Sequence, residues 1–164
     1  MFLWVNRHAI AFPRTDPECP PDAERPLTEK GQRRMVDAAY GMRALGVAPA
    51  CILASPLLRS VETAEIIAQV LRVPEVEVTM SLEPDQDPMV LLAELGTAPT
   101  TDTLVVGHAP HVDRLIARVA NAPRIFSALK KGGTACLEFP DGPSAPGVVH
   151  WLLTPKQLRR LADG

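Results

Sequence analysis

The sequence predicts an α/β fold: a three-layer α/β/α sandwich whose mostly parallel sheet of about six strands carries an antiparallel edge. Three observations lead there. Short apolar runs at Phe2 to Asn6, Ala50 to Ala54 and Thr103 to Val106 alternate with longer segments of helical period. These runs are apolar at nearly every position, as strands covered on both faces are. Near the end, two more strand-like runs flank the turn Pro140-Asp141-Gly142-Pro143, which marks an antiparallel pair.

Each element has its own signals. Phe2 to Asn6 is the first strand and empties into Arg7-His8. Ala9 to Pro26 lacks a period and holds Pro13, Pro17, Pro20, Pro21 and Pro26 among mixed charges. It reads as an extended surface loop, long enough to be functional. Thr28 caps the first helix and Leu27 staples across its start, while Met35, Ala38, Ala39, Met42 and Leu45 form its apolar stripe. Arg33, Arg34 and Arg43 form its wet face and Gly46 stops it.

Ala50 to Ala54 feeds a second helix with Ser55 as expected N-cap, Pro56 at the first helical position and Arg59 in the first turn. Pro74 to Thr79 is a weak strand, followed by a proline-rich turn from Glu83 to Pro88. Met89 to Leu95 is a short helix broken by Gly96 and Pro99. Thr103 to Val106 is the next strand, and His111 to Val119 a helix burying Leu115, Ile116 and Val119. Gly133 to Phe139 and Gly147 to Leu153 are the late strands, and Thr154-Pro155 opens a polar helix through Leu161.

Composition sets limits. A chain of 164 residues, 46% hydrophobic, suits one domain spanning 1–164 with a full core. The net charge of -2 gives no general attraction to nucleic acid or to an anionic membrane, so neither partner is expected and any phosphate affinity must be local. Cys19, Cys51 and Cys136 are odd in number and far apart, which fits a reduced cytoplasmic protein. The start is too short in apolar length for a signal peptide, and no run approaches a membrane span.

The chemistry gathers at strand ends. In an open α/β sheet ligands bind beyond the carboxyl ends of the strands. Arg7-His8, Ser55 to Arg59 and Gly107-His108-Ala109-Pro110 each follow a strand, delivering two arginines and two histidines to one crevice. Arginine forks match phosphate oxygens and a neutral imidazole is a competent nucleophile, so the crevice reads as a phosphoryl pocket. His8, His108 and His111 have too little carboxylate support for a metal centre, and the arginines would repel a cation. No glycine-rich turn or P-loop follows a strand, so no nucleotide cofactor is expected.

Asn6-Arg7-His8-Ala9, Ser55-Pro56-Leu57-Leu58-Arg59-Ser60-Val61-Glu62-Thr63-Ala64 and Val106-Gly107-His108-Ala109-Pro110 resemble the histidine phosphatase superfamily, with its phosphoglycerate mutase-like fold, across essentially the whole chain. The short length and the stretch Glu24-Arg25-Pro26-Leu27-Thr28-Glu29-Lys30-Gly31 resemble most the SixA-type phosphohistidine phosphatases. That resemblance implies a cofactor-independent hydrolase. His8 takes the phosphoryl group, Arg7, Arg59 and His108 hold its oxygens, and water then releases it. It implies Arg25 as a further phosphate contact, a phosphohistidine-containing protein as substrate, and phosphate, sulfate or a similar anion as an occupant of the pocket. The alternative is a phosphatase of small phosphomonoesters such as sugar or nucleotide phosphates; a non-catalytic phosphoprotein-binding module is a further reading.

Larger members of the superfamily place a carboxylic acid after the third strand, where this chain reads Ser81-Leu82-Glu83-Pro84-Asp85-Gln86-Asp87-Pro88. Glu83 and Asp85 are the candidates, against ordinary turn residues. A phosphohistidine substrate relaxes the need, since its imidazole can depart protonated. Arg25 on a proline-rich loop is equally at home as a solvated side chain, His111 as a neighbour tuning the field, and His150 as a structural residue of the last strand. Trp4 and Trp151 read as sheet-covering groups.

Overall fold

The computed structural model describes residues 1–97 and 101–162. Its strands are β1 (Phe2–Arg7), β2 (Cys51–Ala54), β3 (Val76–Val78), β4 (Thr103–Gly107), β5 (Thr134–Glu138) and β6 (Val148–Leu153). Its helices are α1 (Glu29–Ala44), α2 (Leu58–Leu71), α3 (Pro88–Thr97), α4 (His111–Val119) and α5 (Pro155–Ala162). The strands form one six-stranded sheet in the order β3-β2-β4-β1-β5-β6. β3, β2, β4 and β1 run parallel, while β5 and β6 add the antiparallel edge. This is the predicted α/β sandwich.

Alternation along the central strands builds a core on each face. Trp4, Ile52, Ala54, Leu104 and Val106 join Met35, Ala38 and Met42 of α1, Ile67 of α2 and Leu158 of α5. Leu3, Val5, Leu53 and Val105 join Leu91 and Leu95 of α3 and Leu115 and Ile116 of α4. Both faces are dry, which is why these strands are apolar throughout. Register then aligns the strand ends: Arg7 stands opposite Gly107, and Val106 is partnered by both Asn6 and Ala54. Residues 8, 55 and 108 therefore emerge along one edge.

Several local expectations hold. Thr28 caps α1 by accepting from Gly31 N, and Gly46 closes it at φ 76°. Gly31 also admits the loop: a Cβ there would lie 2.1 Å from the Ile10 carbonyl oxygen, so only glycine lets this segment pass.

Four details differ. Ser55 and Pro56 do not start α2, whose N-cap is Leu57 with no side-chain bond, because the Ser55 hydroxyl is engaged elsewhere. Leu45 is 40% exposed and no part of the apolar stripe, since α1 ends before it. Gly96 lies within α3, and Pro99 falls outside the described residues. The Ala9 to Pro26 loop is not wholly irregular: it holds a 3-10 turn at Asp22–Glu24 and a bridge between Ala11 and Leu27. Among the described residues no helix is long and apolar enough to cross a membrane.

Candidate active site

His8 follows β1 and His108 follows β4, and the parallel pairing sets them side by side with ring centroids 5.0 Å apart and planes inclined at 51°. His8 N donates to Gly107 O at 3.0 Å, which stitches the two strand ends together. Arg59 comes from the first turn of α2. Thr63, one helical turn on, donates to Arg59 O at 2.6 Å and accepts from Ala9 N at 3.0 Å, so α2 is fixed to the segment after His8. Arg7, His8, Arg25, Arg59 and His108 all line one pocket of about 630 Å³.

The imidazoles are held in defined states. His8 Nδ1 lies 2.7 Å from Ala9 O, a carbonyl that can only accept, so Nδ1 carries the proton and Nε2 the lone pair. Burial is the main reason its pKa falls to about 3; the Ala9 carbonyl opposes the shift, and the charges of Arg59, Arg7 and Lys131 add to it. The ring is neutral at physiological pH and able to attack an electrophilic phosphorus through Nε2.

His108 Nε2 lies 2.8 Å from Ser55 Oγ, and its Nδ1 is buried without a protein partner. Its pKa also falls to about 3, through burial first and then the neighbouring His8 and Arg59. In the tautomer where the Ser55 hydroxyl donates to Nε2, the proton sits on the unpaired Nδ1. Ser55, buried behind the pocket lining, thus contacts a candidate site residue in a way sequence reasoning missed. Its motif position gave a signal, but a serine before proline reads first as a helix cap.

Both arginines are gripped at one edge. Arg7 NH1 donates to Leu129 O at 2.7 Å, and Leu129 N donates to the buried Asp113 Oδ1 at 2.9 Å. Arg59 NH1 and NH2 donate to Asp22 O and Oδ2, at 2.6 and 3.2 Å. Nε of each arginine is buried with no partner. Each guanidinium therefore keeps an unpaired Nε–H, Arg7 being held through NH1 alone and Arg59 through both terminal nitrogens, and an unpaired guanidinium N–H is a good donor to an oxygen of a tetrahedral anion.

A model of the histidine phosphatase superfamily (branch 1) matches residues 3–83, which include Arg7, His8, Arg25 and Arg59. An uncharacterized protein of Picosynechococcus sp. is 37% identical over 123 residues, 73% of each chain. The structure of the protein histidine phosphatase SixA complexed with tungstate superimposes with a TM-score of 0.83 at 26% identity, over 96% of this chain and 99% of that one. The chain belongs to the histidine phosphatase superfamily. It is therefore a member of a superfamily of hydrolases, and SixA-type phosphatases are close matches in structure. The α-ribazole phosphatase from Shigella flexneri is similar in fold alone, with a TM-score of 0.76 at 17% identity over 94% and 97% of the two chains.

Around this centre the phosphatase deploys its loop. Arg25, on the loop before α1, is buried; its Nε donates to Asp22 Oδ1 at 2.8 Å and its NH1 to Phe12 O at 2.7 Å. Arg14 and Lys131, which carried no sequence signal, line the same pocket. Lys131 has a lowered pKa through burial and the charges of Arg7, Arg25, Arg59 and Arg14, so the pocket field is strongly positive.

The acid candidates are not in the pocket lining. Pro84 lines the pocket, but Glu83 and Asp85 on either side of it do not, and Asp85 is exposed. His111 is fully buried at the start of α4, outside the pocket lining. His150 pairs with Glu138 Oε2 at 2.7 Å on the antiparallel edge. Among the described residues no group of three His, Cys, Asp or Glu side chains is gathered to hold a metal ion.

Proposed function

We propose that this phosphatase hydrolyses phosphohistidine in proteins through a covalent intermediate on His8. One observation carries the reading: the pocket brings together two histidines and a set of arginines, yet among the described residues no Asp or Glu lines it. An alkoxide leaving group needs a proton from an acid, an aid worth about 100-fold to 10,000-fold. An imidazole leaving group can depart already protonated.

His8 Nε2 attacks phosphorus, and the new N–P bond forms as the bond to the substrate imidazole breaks. The Nε edges of Arg7 and Arg59, with His108 Nδ1–H, meet the charge spread over the equatorial oxygens. Water then attacks phosphorus, the N–P bond to His8 breaks, and inorganic phosphate leaves. Arg25 contributes a further contact at the pocket wall. The likeness to SixA, seen with the tetrahedral anion tungstate, supports this reading. Free thiols at Cys19, Cys51 and Cys136 suit a reduced cytoplasmic setting.

The second reading is a phosphatase of small phosphomonoesters. The comparisons back it better than the phosphohistidine reading, since the fold is shared with a phosphatase named for α-ribazole. Turnover separates the two. A phosphohistidine peptide and a panel of sugar and nucleotide phosphates are offered to the intact protein and to His8→Ala. We expect kcat/KM for the phosphoramidate to exceed that of any alkyl phosphate by about 100-fold or more. An acid-labile, base-stable phosphoenzyme should form, and His8→Ala should lose both the phosphoenzyme and turnover. Equal turnover of alkyl phosphates moves the chain to the second reading, and full turnover by His8→Ala overturns the nucleophile.

A further inference from the structure

We propose that Asp22 is a positioning residue for the oxyanion clamp, holding Arg59 by its terminal nitrogens so that the Nε edge faces the phosphoryl group. The inference rests on the phosphoryl pocket built around His8 and on neither choice of leaving group.

Asp22 sits at the start of the 3-10 turn in the long loop, far in sequence from Arg59. It meets that arginine twice, through its carbonyl at 2.6 Å from NH1 and through Oδ2 at 3.2 Å from NH2. Its other oxygen, Oδ1, accepts from Arg25 Nε and Arg14 Nε, each at 2.8 Å. One carboxylate thereby orders three guanidiniums that all line the pocket. Without it their like charges would push Arg59 and Arg25 apart.

A carboxylate beside phosphate-binding arginines invites another reading, an internal anion that competes with substrate. Geometry favours positioning. Asp22 is not among the residues lining the pocket that holds His8 and His108; it lines a separate, shallower cleft with Arg14 and Arg25. It therefore grips Arg59 from outside and leaves the buried Nε unpartnered. Half of the grip is a backbone carbonyl, which cannot swing away as a competing side chain would. Burial alone would raise the Asp22 carboxyl, but hydrogen bonds from Arg14 and Arg25 and the charge of Arg59 hold it well below the usual carboxylate range, so the grip stays ionic.

The test uses Asp22→Ala and Asp22→Asn, with inorganic tungstate binding by calorimetry and p-nitrophenyl phosphate hydrolysis as readouts. For Asp22→Ala we expect tungstate binding and kcat/KM to fall about 10-fold to 100-fold through misorientation of a charged fork. Both variants keep the backbone carbonyl; Asp22→Asn also keeps a side-chain oxygen acceptor and should lose about 3-fold to 10-fold. If Asp22→Ala fails to fold, Asp22→Asn with a checked melting curve carries the test. A double-mutant cycle supplies the readout that a merely structural role would not move: in an Arg59→Ala background, Asp22→Ala should lower kcat/KM far less than in the wild-type background, leaving only the share carried through Arg25 and Arg14. Tighter tungstate binding in either variant would identify a competitor and overturn the proposal, as would equal losses in both backgrounds. Wild-type protein that ignores tungstate would sink the pocket along with this inference, whereas one that binds tungstate but spares phosphohistidine removes the substrate reading alone.

Discussion

Arg7 and Arg59 line the same pocket but are anchored by different kinds of structure. Arg7 ends a central strand, and its tether is the Leu129 carbonyl, fixed in turn by Asp113, of which only 6% is exposed. Arg59 starts a helix, and its tether is Asp22, on a turn of the proline-rich loop with 45% of its side chain exposed. The first anchorage runs through a backbone carbonyl on the loop after α4, and that loop is itself held by a buried carboxylate. The second is a charge network at the surface, which salt and loop movement can reach. Two arginines of one pocket thus differ in what can disturb their placement.

The largest expected effect tests whether both arms serve the same oxygens. Arg7→Ala and Arg59→Ala should each lower kcat about 100-fold to 1,000-fold, the usual loss for one oxyanion donor. Single-turnover kinetics would locate the loss in phosphoryl transfer. A loss confined to KM in one variant would mean that its arm only gathers substrate, and the equivalence would fail.

Asp113 probes the buried arm with a smaller effect. Its Oδ1 accepts from Leu129 N at 2.9 Å and from Ser127 Oγ at 3.0 Å. Asp113→Ala leaves these donors unpaired and should destabilise the fold by about 1 to 3 kcal/mol. Turnover should fall about 10-fold as Leu129 loosens beneath Arg7. Denaturant midpoints and kcat, measured together with those of Asp22→Asn, would show whether added salt weakens the Asp22 arm alone. Equal salt sensitivity in the two arms would erase the distinction drawn between them.

The two arms also differ in how far the sequence announces them. Arg7, His8 and His108 stand at the ends of apolar strand runs and Arg59 in the first helical turn after one, so periodicity and the ligand-binding edge of an α/β sheet locate them before any coordinates. Ser55 was visible but misassigned. Local rules make a serine before proline a helix cap, and only the approach of His108 across the sheet engages its hydroxyl otherwise. Asp22 was invisible, because its loop has no period and its partner Arg59 is remote in sequence. Lys131 and the Leu129 carbonyl share that obscurity: both come from a loop between α4 and β5 with no pattern of its own. Gly96 misled for the opposite reason, since a helix breaker by propensity is tolerated where α3 packs Leu91, Leu92 and Leu95 into the core.

The smallest effect separates the walls of the pocket by pH. His8 and His108 have pKa values lowered from 6.5 to about 3, chiefly by burial, while that of Asp22 lies below its ordinary 3.8. Between pH 6.5 and 3 the unfolded chain takes up protons that the folded imidazoles refuse. Stability should therefore fall as pH drops through that window and be level in this respect above it. The Asp22 contribution has its own window: it is present above about 3.8 and is lost only as pH falls further, through the folded pKa. Urea midpoints taken from pH 7 to pH 4 should decline, and His8→Asn should flatten the decline, because its amide does not titrate there. Over pH 5 to 8 the ring signals of His8 and His108 in NMR, assigned by their loss in the corresponding variants, should show no titration step. A step near 6.5 for either ring would mean that water reaches the imidazoles and that burial does not hold them neutral.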